Sequence, residues 1–407
     1  MQKNRRKFIW SKRIVIAVLV LLCLDMVFIL GYWQGHSGNP SVLVPSDIAK
    51  LESGKPAGVD FSTFWEAWSQ LKEKSVAEDS NEKMVQGAIS GMLSSTGDPY
   101  TVYFTKQEND RFREDIGGQF SGIGVEIVEK NNLPTVVAPL SETPAEKAGI
   151  KPGDIILEVD GVKTSDIGFD ETINRIRGSE GTKVKLKIAR EGAADTIDFE
   201  ITRQTITVKS VEWSEKTVDG KKVAYIKIRQ FGDDTESLFA EAAKEVIKNK
   251  PDGIILDLRN DPGGYLETSV NIASYFIKDG VIVSEKGRND NSKDYRSTGS
   301  GTLKDYKVAV LVNGGSASAS EILAGALKDR KNSELIGEKT FGKGSVQELI
   351  DLSDGSAVKI TVAKWFTPNG KQINGEGLEP DIKIANDDKT AADEQLDRAE
   401  QFLVTGK

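Results

Sequence analysis

The residues with the clearest chemical potential lie in two glycine-rich clusters, at 313–321 and 341–347. The first cluster holds three alternating serines, and the second holds Lys343. A serine becomes a nucleophile only when a neighbouring base removes its proton. The chain contains one histidine, His36, and one cysteine, Cys23, which lies inside an apolar run. Nucleophilic chemistry in the rest of the chain therefore requires lysine as the base.

The composition describes a folded, modular protein. At 407 residues, with 29% charged and 38% hydrophobic residues, the chain is long enough for two or three domains with their own cores. Its net charge of −8, with acidic and basic residues interspersed, excludes the clustered basic surface of a nucleic-acid-binding protein. One cysteine allows no disulfide within the chain. The sequence implies neither a metal nor a cofactor.

The first part of the chain predicts a membrane anchor. Residues 1–13 are basic, and residues 14–33 form an apolar run long enough to span a bilayer, ending in Tyr32 and Trp33. A cleaved signal peptide is the alternative, but no small-x-small cleavage site follows the run. The basic flank predicts a cytoplasmic N-terminus, so the rest of the chain should lie outside the cytoplasm of a single-pass cell-membrane protein. Residues 34–59 are typical of a linker.

Beyond the linker, periodicity predicts a mixed α/β, multidomain chain. The predicted segments are an N-terminal helical segment at 60–115, a small β-rich domain at 116–203, a βαβ-like core at 204–385 and a polar tail or helix at 386–407. In the core, buried strands at 253–258 and 307–312 each end in a glycine-rich turn. Ligands and chemistry gather at the carboxyl ends of such strands, so both turns are predicted to belong to one site.

The β-rich segment resembles a PDZ domain of the bacterial protease type. The resemblance rests on Gly122-Ile123-Gly124 together with the run Ala148-Gly-Ile-Lys-Pro-Gly-Asp-Ile-Ile156. It implies that the N–H groups of 122–124 bind the terminal carboxylate of a peptide. The following strand would accept that peptide as an added strand.

The region from about 84 to 383 resembles the carboxyl-terminal processing proteases, the S41 family of tail-specific Ser/Lys peptidases. The matching motifs, in family order, include Gly97-Asp-Pro-Tyr100, Asp257-Leu-Arg-Asn-Asp-Pro-Gly-Gly264, 315–321, 341–347 and Phe366-Thr-Pro-Asn-Gly370. This resemblance implies that Ser318 is the nucleophile, Lys343 the general base and Gln347 the residue that holds the lysine. Asp329 falls where some descriptions of the family place an acidic third member.

The predicted local structure around Ser318 supports these roles. Ser318 precedes a predicted helix at 320–328, whose free N–H groups favour negative charge on a carbonyl oxygen. The N–H of Ala319, with one from the Gly263-Gly264 turn, could form an oxyanion hole. The competing interpretation is structural, because Ser318-x-x-Glu321 is also a capping-box pattern.

A lysine serves as a base only when its pKa falls well below its ordinary value. Phe341, with Gly342, Gly344 and Val346, is predicted to surround Lys343 with a tight and largely apolar setting. Gln347 would offer a neutral acceptor that fixes the lysine without an ion pair.

The expected function is a membrane-anchored serine endopeptidase that recognises protein C-termini through its PDZ domain and cleaves upstream. The family resemblance implies substrates with an apolar C-terminus, and places Arg177 where relatives couple ligand binding to the active site. An adaptor or activating protein and an oligomeric state are left open. The alternative is a catalytically inactive, membrane-anchored PDZ adaptor, which would bind C-termini without cutting them.

Overall fold

The computed structural model describes residues 58–77, 80–385 and 392–406, and these fall into two compact units that divide after Asp79. In the first unit, helix α1 spans Ser62–Lys74. Its aromatic side chains recur at helical spacing, and Phe64 and Trp65 meet edge to face with ring centroids 4.9 Å apart. Both rings remain exposed on the helix surface.

The second unit begins with elements that border the active-site region. They are α2 (Asn81–Ser94), β1 (Val102–Phe104) and α3 (Lys106–Gly117). Thr105 and Glu108 form a capping box at the start of α3, and Gly118 ends it with a left-handed conformation. Strand β1 pairs with a strand more than 250 residues later, so this segment is part of the core.

A β-rich domain follows. Its strands and helices are β2 (Gln119–Gly122), β3 (Val125–Lys130), β4 (Leu133–Pro139), α4 (Pro144–Ala148), β5 (Ile155–Val159), β6 (Val162–Lys163), α5 (Thr164–Ile176), β7 (Lys183–Ala189), β8 (Ile197–Thr202) and β9 (Gln204–Thr207). The main sheet has the order β3-β4-β5-β7-β8, with β3 at one edge. Strand β2 pairs with β9, so the domain enters and leaves the core through a two-stranded ribbon. Helix α5 is interrupted at Gly168, whose φ of 77° and ψ of 175° are not helical.

The core contains a largely parallel sheet between helices. Its elements are β10 (Val211–Val218), β11 (Lys221–Ile228), α6 (Thr235–Asn249), β12 (Gly253–Asp257), α7 (Leu266–Phe276), β15 (Lys307–Val312), α8 (Ala319–Lys331), β16 (Glu334–Gly337) and β19 (Ile382–Lys383). The strand order is β10-β11-β12-β15-β16-β19, and all pairs except β10-β11 are parallel. Every residue of β12 is buried, which explains its unbroken apolar run.

A second, antiparallel sheet packs against this core and was absent from the sequence predictions. It comprises β13 (Val281–Gly287), β14 (Ser292–Arg296), β17 (Ser345–Asp351) and β18 (Ala357–Phe366), together with β1. These strands mix polar and apolar residues and are only half buried. Strand β17 starts two residues after Lys343, so this sheet positions the lysine.

The C-terminal segment forms helix α9 (Glu394–Thr405). Its apolar side packs on the parallel sheet, where Phe402 and Leu403 join a cluster with Ile255 and Leu311. The segment predicted to be a polar tail or helix thus contains an amphipathic helix that covers one face of the core.

The prediction of a mixed α/β fold is confirmed. The predicted transmembrane helix at 14–33 lies outside the described residues. Among the residues that the structure does describe, no helix is both long and apolar enough to cross a membrane.

Candidate active site

The two glycine-rich clusters open into one cavity of about 850 Å³. Its lining includes six of the predicted site residues: Gly263, Gly264, Ser318, Ala319, Lys343 and Gln347. The carboxyl ends of β12 and β15 supply one side, and β17 and β18 supply another. Residues that are up to 84 positions apart in the sequence therefore share one site.

Ser318 sits at a strained turn between β15 and α8. Its backbone has φ 56° and ψ −116°, a conformation that costs a non-glycine residue about 1–3 kcal/mol. Two bonds hold the turn against the end of β12. The Ala317 N–H donates to the Asp261 carbonyl at 2.9 Å, and the Ser316 hydroxyl donates to the Leu258 carbonyl at 2.7 Å.

The Gly263-Gly264 turn lies directly against Ser318. Gly263 has φ +99°, and a Cβ there would lie 2.8 Å from the Ser318 Cβ and 2.9 Å from the Ala319 nitrogen. Only glycine allows this approach. The Gly263 N–H donates to Oδ1 of Asp261 at 2.8 Å, whereas no acceptor among the described residues takes the N–H of Gly264 or Ala319.

Glu321 joins the two glycine-rich clusters. Its side chain is fully buried, and its Oε2 accepts the N–H groups of both Ser318 (3.0 Å) and Lys343 (2.9 Å). Its Oε1 accepts the Thr340 hydroxyl at 2.6 Å and the Gly342 N–H at 2.8 Å. The Ser318–Glu321 pair does have capping-box geometry, but the same carboxylate also fixes the lysine loop. Burial raises the pKa of Glu321, and the four hydrogen bonds oppose that rise.

Lys343 is half-buried in the cavity, and burial lowers its pKa, while the negative charge of Glu321 acts in the opposite direction. Its Nζ lies 5.5 Å from the centre of the Tyr100 ring. The apolar setting predicted for it is partly wrong, because Phe341 turns outward and is 59% exposed. The close packing around Lys343 comes instead from Gly344, where a Cβ would lie 2.0 Å from the Asn374 nitrogen.

Gln347 lines the same cavity but contacts a different partner from the one predicted. Its Nε2 donates to the Ser345 hydroxyl at 2.6 Å. No hydrogen bond between Gln347 and Lys343 is present in the described structure.

Asp329 lies on α8, away from the cavity lining. Its Oδ2 accepts the Asn369 N–H at 2.9 Å. The structure therefore does not bring Asp329 together with Ser318 and Lys343. Its carboxylate instead fixes the loop that contains Asn369.

The predicted peptide site lies at the junction of β2 and β3. Gly122 ends β2, and the Ile123 side chain is buried in the core of the β-rich domain. Gly124 has φ +74°, and a Cβ there would lie 2.4 Å from the Thr143 Cβ. Because β3 is an edge strand, its outer side has the geometry needed to add a peptide strand.

Arg177 lies beside Gly122, where a Cβ would be 3.9 Å from its Cγ, and it also connects the β-rich domain to the cavity. Its Nη1 donates to Oδ1 of Asp115 at 2.6 Å, and its guanidinium lies 5.1 Å from the Phe120 ring centre. Asp115 and Gln230 both line the cavity, and the Gln230 Nε2 donates to the Asp115 carbonyl at 3.1 Å. The next residue, Phe231, donates its N–H to the Gly263 carbonyl at 2.9 Å. A continuous set of contacts thus runs from Arg177 to the turn beside Ser318.

Comparisons with known proteins agree with this arrangement. A family model described as peptidase family S41 matches residues 222–384, a PDZ domain model matches residues 135–190, and an activating protease CtpB N-terminal domain model matches residues 35–108. The carboxy-terminal processing protease CtpB of Bacillus subtilis (strain 168) is 39% identical over 355 residues, which cover 87% of this chain and 73% of that protein. The chain belongs to peptidase family S41. The family resemblance and the serine-type peptidase prediction are confirmed.

Further relatives fit the same assignment of this S41 peptidase. A probable CtpA-like serine protease of Staphylococcus haemolyticus is 41% identical over 325 residues, or 79% of this chain, which spans only 64% of that protein. A solved structure of a photosystem II D1 C-terminal processing protease is 30% identical, with a TM-score of 0.53, and the match covers 84% of this chain and 91% of that one.

Sequence reasoning missed two features of this S41 peptidase site. Glu321 appeared only as a helix cap, because its bonds to the 340–343 loop join residues that no local spacing connects. Lys359 on β18 also lines the cavity, with its Nζ 5.0 Å from the Phe104 ring centre and 4.9 Å from the Phe112 ring centre. Its strand was not predicted, so its position next to Lys343 could not be read from the sequence.

Proposed function

We propose that this chain is a membrane-anchored serine endopeptidase that binds protein C-termini through its PDZ domain and cleaves upstream with Ser318 and Lys343. One observation carries the proposal: Ser318 and Lys343 face the same cavity and are fixed by a single carboxylate oxygen of Glu321. A catalytically inactive adaptor would have no use for a lysine whose pKa is lowered by burial in a cleft.

The reaction follows from these groups. Neutral Lys343 takes the proton of the Ser318 hydroxyl while Oγ attacks the carbonyl carbon of the peptide bond. The N–H groups of Gly264 and Ala319 stabilise the negative oxygen, since neither has another acceptor among the described residues. The lysine then gives its proton to the leaving amine. Water attacks the acyl carbon and passes a proton to Lys343, which then gives that proton to the departing Ser318 oxygen, so both residues return to their starting forms.

Gln347 has a positioning role in this proposal. In the described arrangement its amide donates to Ser345, so the Lys343 amine lacks the partner that the family resemblance assigns to it. Rotation of the amide towards Lys343 would supply a neutral acceptor and fix the amine. Because no ion pair forms, this step would not raise the pKa of the lysine as a carboxylate would.

We propose that the PDZ domain also controls the site through Arg177. The support is the set of contacts from Arg177 through Asp115 and Gln230 to the Gly263 turn. The Arg177–Asp115 ion pair is partly exposed, so its own contribution to stability is about 1 kcal/mol or less. Arg177→Ala should therefore slow cleavage strongly and change the melting temperature only slightly. Equal cleavage by Arg177→Ala and the parent would remove this role.

The location is a separate proposal. The basic residues 1–13 and the apolar run 14–33 support a single-pass anchor with a cytoplasmic N-terminus and an extracytoplasmic catalytic part. Its substrates would then be extracytoplasmic proteins with apolar C-termini. Protease added to intact cells should degrade a tag at the C-terminus but spare one at the N-terminus, and the reverse pattern would contradict this topology.

The test of activity uses the full chain in mild detergent and an unfolded protein that ends in an apolar tail. Ser318→Ala and Lys343→Ala should each reduce cleavage at least about a thousandfold while tail binding is retained. Ser237→Ala and Lys248→Ala, two exposed positions on α6, serve as matched controls. Tail binding without cleavage by the parent would favour the PDZ adaptor, and cleavage that survives both active-site changes would contradict the Ser/Lys mechanism.

A further inference from the structure

A buried acid lies directly behind the oxyanion turn. Asp261 follows β12, has no exposed surface and uses one carboxyl oxygen, Oδ1, to accept the Gly263 N–H at 2.8 Å. Its other oxygen, Oδ2, is buried and has no hydrogen-bond partner among the described residues. Its carbonyl accepts the Ala317 N–H, so the same residue contacts both sides of Ser318.

The protonation state of this acid follows from its surroundings. A buried carboxylate whose second oxygen has no donor is strongly disfavoured, whereas a neutral carboxyl group needs far less solvation. Burial accordingly raises the pKa of Asp261 well above its usual range, and the bond from Gly263 opposes this only in part.

The charged groups around the site do not offset this burial. Arg259, two residues earlier, is held by Asp257 and Asp393. Glu321 lies on α8 and Lys343 lies in the loop before β17, and neither perturbs the pKa of Asp261. Among the described residues, no positive charge stabilises an ionised Asp261.

We infer that Asp261 is a positioning residue that supports the oxyanion turn only in its protonated form, so that its ionisation switches cleavage off. This inference rests on the proposed Ser/Lys reaction. A neutral carboxyl group accepts the Gly263 N–H and holds the turn in place without adding charge. An ionised one would place a negative charge next to the oxygen that becomes negative in the reaction, and that charge would oppose the stabilisation by Gly264 and Ala319.

The two ionisable groups then limit activity from opposite sides. Lys343 must lose its proton, so activity rises with pH through the lysine pKa. Asp261 must keep its proton, so activity falls again as pH rises through the Asp261 pKa. If the ionised form is inactive, the alkaline limb falls about tenfold per pH unit.

Asp261→Asn tests this inference because an amide has the same shape, accepts the Gly263 N–H and does not ionise in this range. The full chain and this variant are compared in kcat/KM from acidic to alkaline pH, with thermal unfolding to check the fold. We expect the ratio of variant to parent activity to increase about tenfold per pH unit along the parent's alkaline limb. Asp354→Asn, which removes an exposed carboxylate in the β17–β18 turn, should show no such change. Identical alkaline limbs in the parent and Asp261→Asn would overturn the inference.

A second measurement separates this inference from the proposed reaction. Infrared difference spectra of Asp261→Asn against the parent should show a protonated carboxyl band in the parent at neutral pH that is missing from the variant. This readout does not depend on cleavage. If the band is absent, the inference is overturned even when the enzyme is active. If the band is present in a chain that cleaves nothing, the proposed reaction is wrong but the protonation of Asp261 stands.

Discussion

Glu321→Gln is the substitution that examines the link between Ser318 and Lys343 most directly. The carboxylate accepts two donors on each oxygen, whereas an amide offers one oxygen and one NH₂ group. If the amide oxygen still accepts the N–H groups of Ser318 and Lys343, the NH₂ group faces the Gly342 N–H, which then has no acceptor. We therefore expect a loss of stability together with a change in the pH dependence of cleavage.

The size of the stability loss follows from these bonds. A buried N–H left without an acceptor costs about 1–3 kcal/mol, and each of the two retained bonds weakens by about 1 kcal/mol when its acceptor loses its charge. Removing a buried charge returns part of this cost. The free energy of unfolding should thus fall by about 2–4 kcal/mol. A small displacement of Ser318 or Lys343 should also lower kcat about 10–100-fold.

The pH profile gives the decisive readout. The negative charge of Glu321 raises the pKa of Lys343 against the effect of burial, so its removal should lower that pKa. Since the lysine works as a base in its neutral form, the acidic limb of kcat/KM should move to lower pH even though the maximum rate falls. Urea unfolding and the pH dependence of cleavage measure the two effects.

The matched control is Glu108→Gln. Glu108 is the third helical residue of an exposed capping box at the start of α3, as Glu321 is in α8. That change should cost less than about 1 kcal/mol and leave the acidic limb in place. An acidic limb that stays fixed or moves to higher pH in Glu321→Gln would refute the electrostatic reasoning. Unchanged stability would refute the role of the four hydrogen bonds.

Two further predictions concern Lys359 and the peptide site. Burial and, after it, the charge of Lys343 lower the pKa of Lys359. Because Coulomb repulsion is mutual, Lys359→Met should raise the pKa of Lys343 and move the acidic limb of kcat/KM to higher pH. A shift to lower pH would contradict this. Gly124→Ala should weaken binding of an apolar tail, measured by titration calorimetry, because its Cβ would clash with Thr143 and its φ is positive. Unchanged tail affinity in Gly124→Ala would show that the 122–124 loop does not bind the peptide.

The sequence predicted the parts of the fold whose residue patterns are local. Strands β12 and β15 are continuous apolar runs, and the helices that follow them show clear periodicity, so the Gly263-Gly264 turn and Ser318 could be assigned to one edge of one sheet. Strands β17 and β18 escaped prediction because they border a cavity, where burial is incomplete, and neither forms a continuous apolar run. Their absence from the prediction is also why Phe341 was wrongly expected to cover Lys343.

The site itself was predictable only as far as residue types and motifs allow. The single histidine and cysteine indicated a lysine base, and the family resemblance implied which serine and lysine, Ser318 and Lys343, would act. The role of Glu321 depends on N–H groups of the distant 340–343 loop, and the role of Asp261 depends on complete burial of its carboxyl group; neither could be read from local spacing.

The ribbon formed by β2 and β9 makes the PDZ domain a self-contained insertion. The Val208 N–H donates to the Gly118 carbonyl at 3.1 Å, so the chain leaves the core and returns to it at almost the same point. An insertion with adjacent ends can be exchanged between proteins without breaking the host core. The protease core could therefore acquire a new recognition domain by recombination at these two points, and its substrate range could evolve separately from its chemistry.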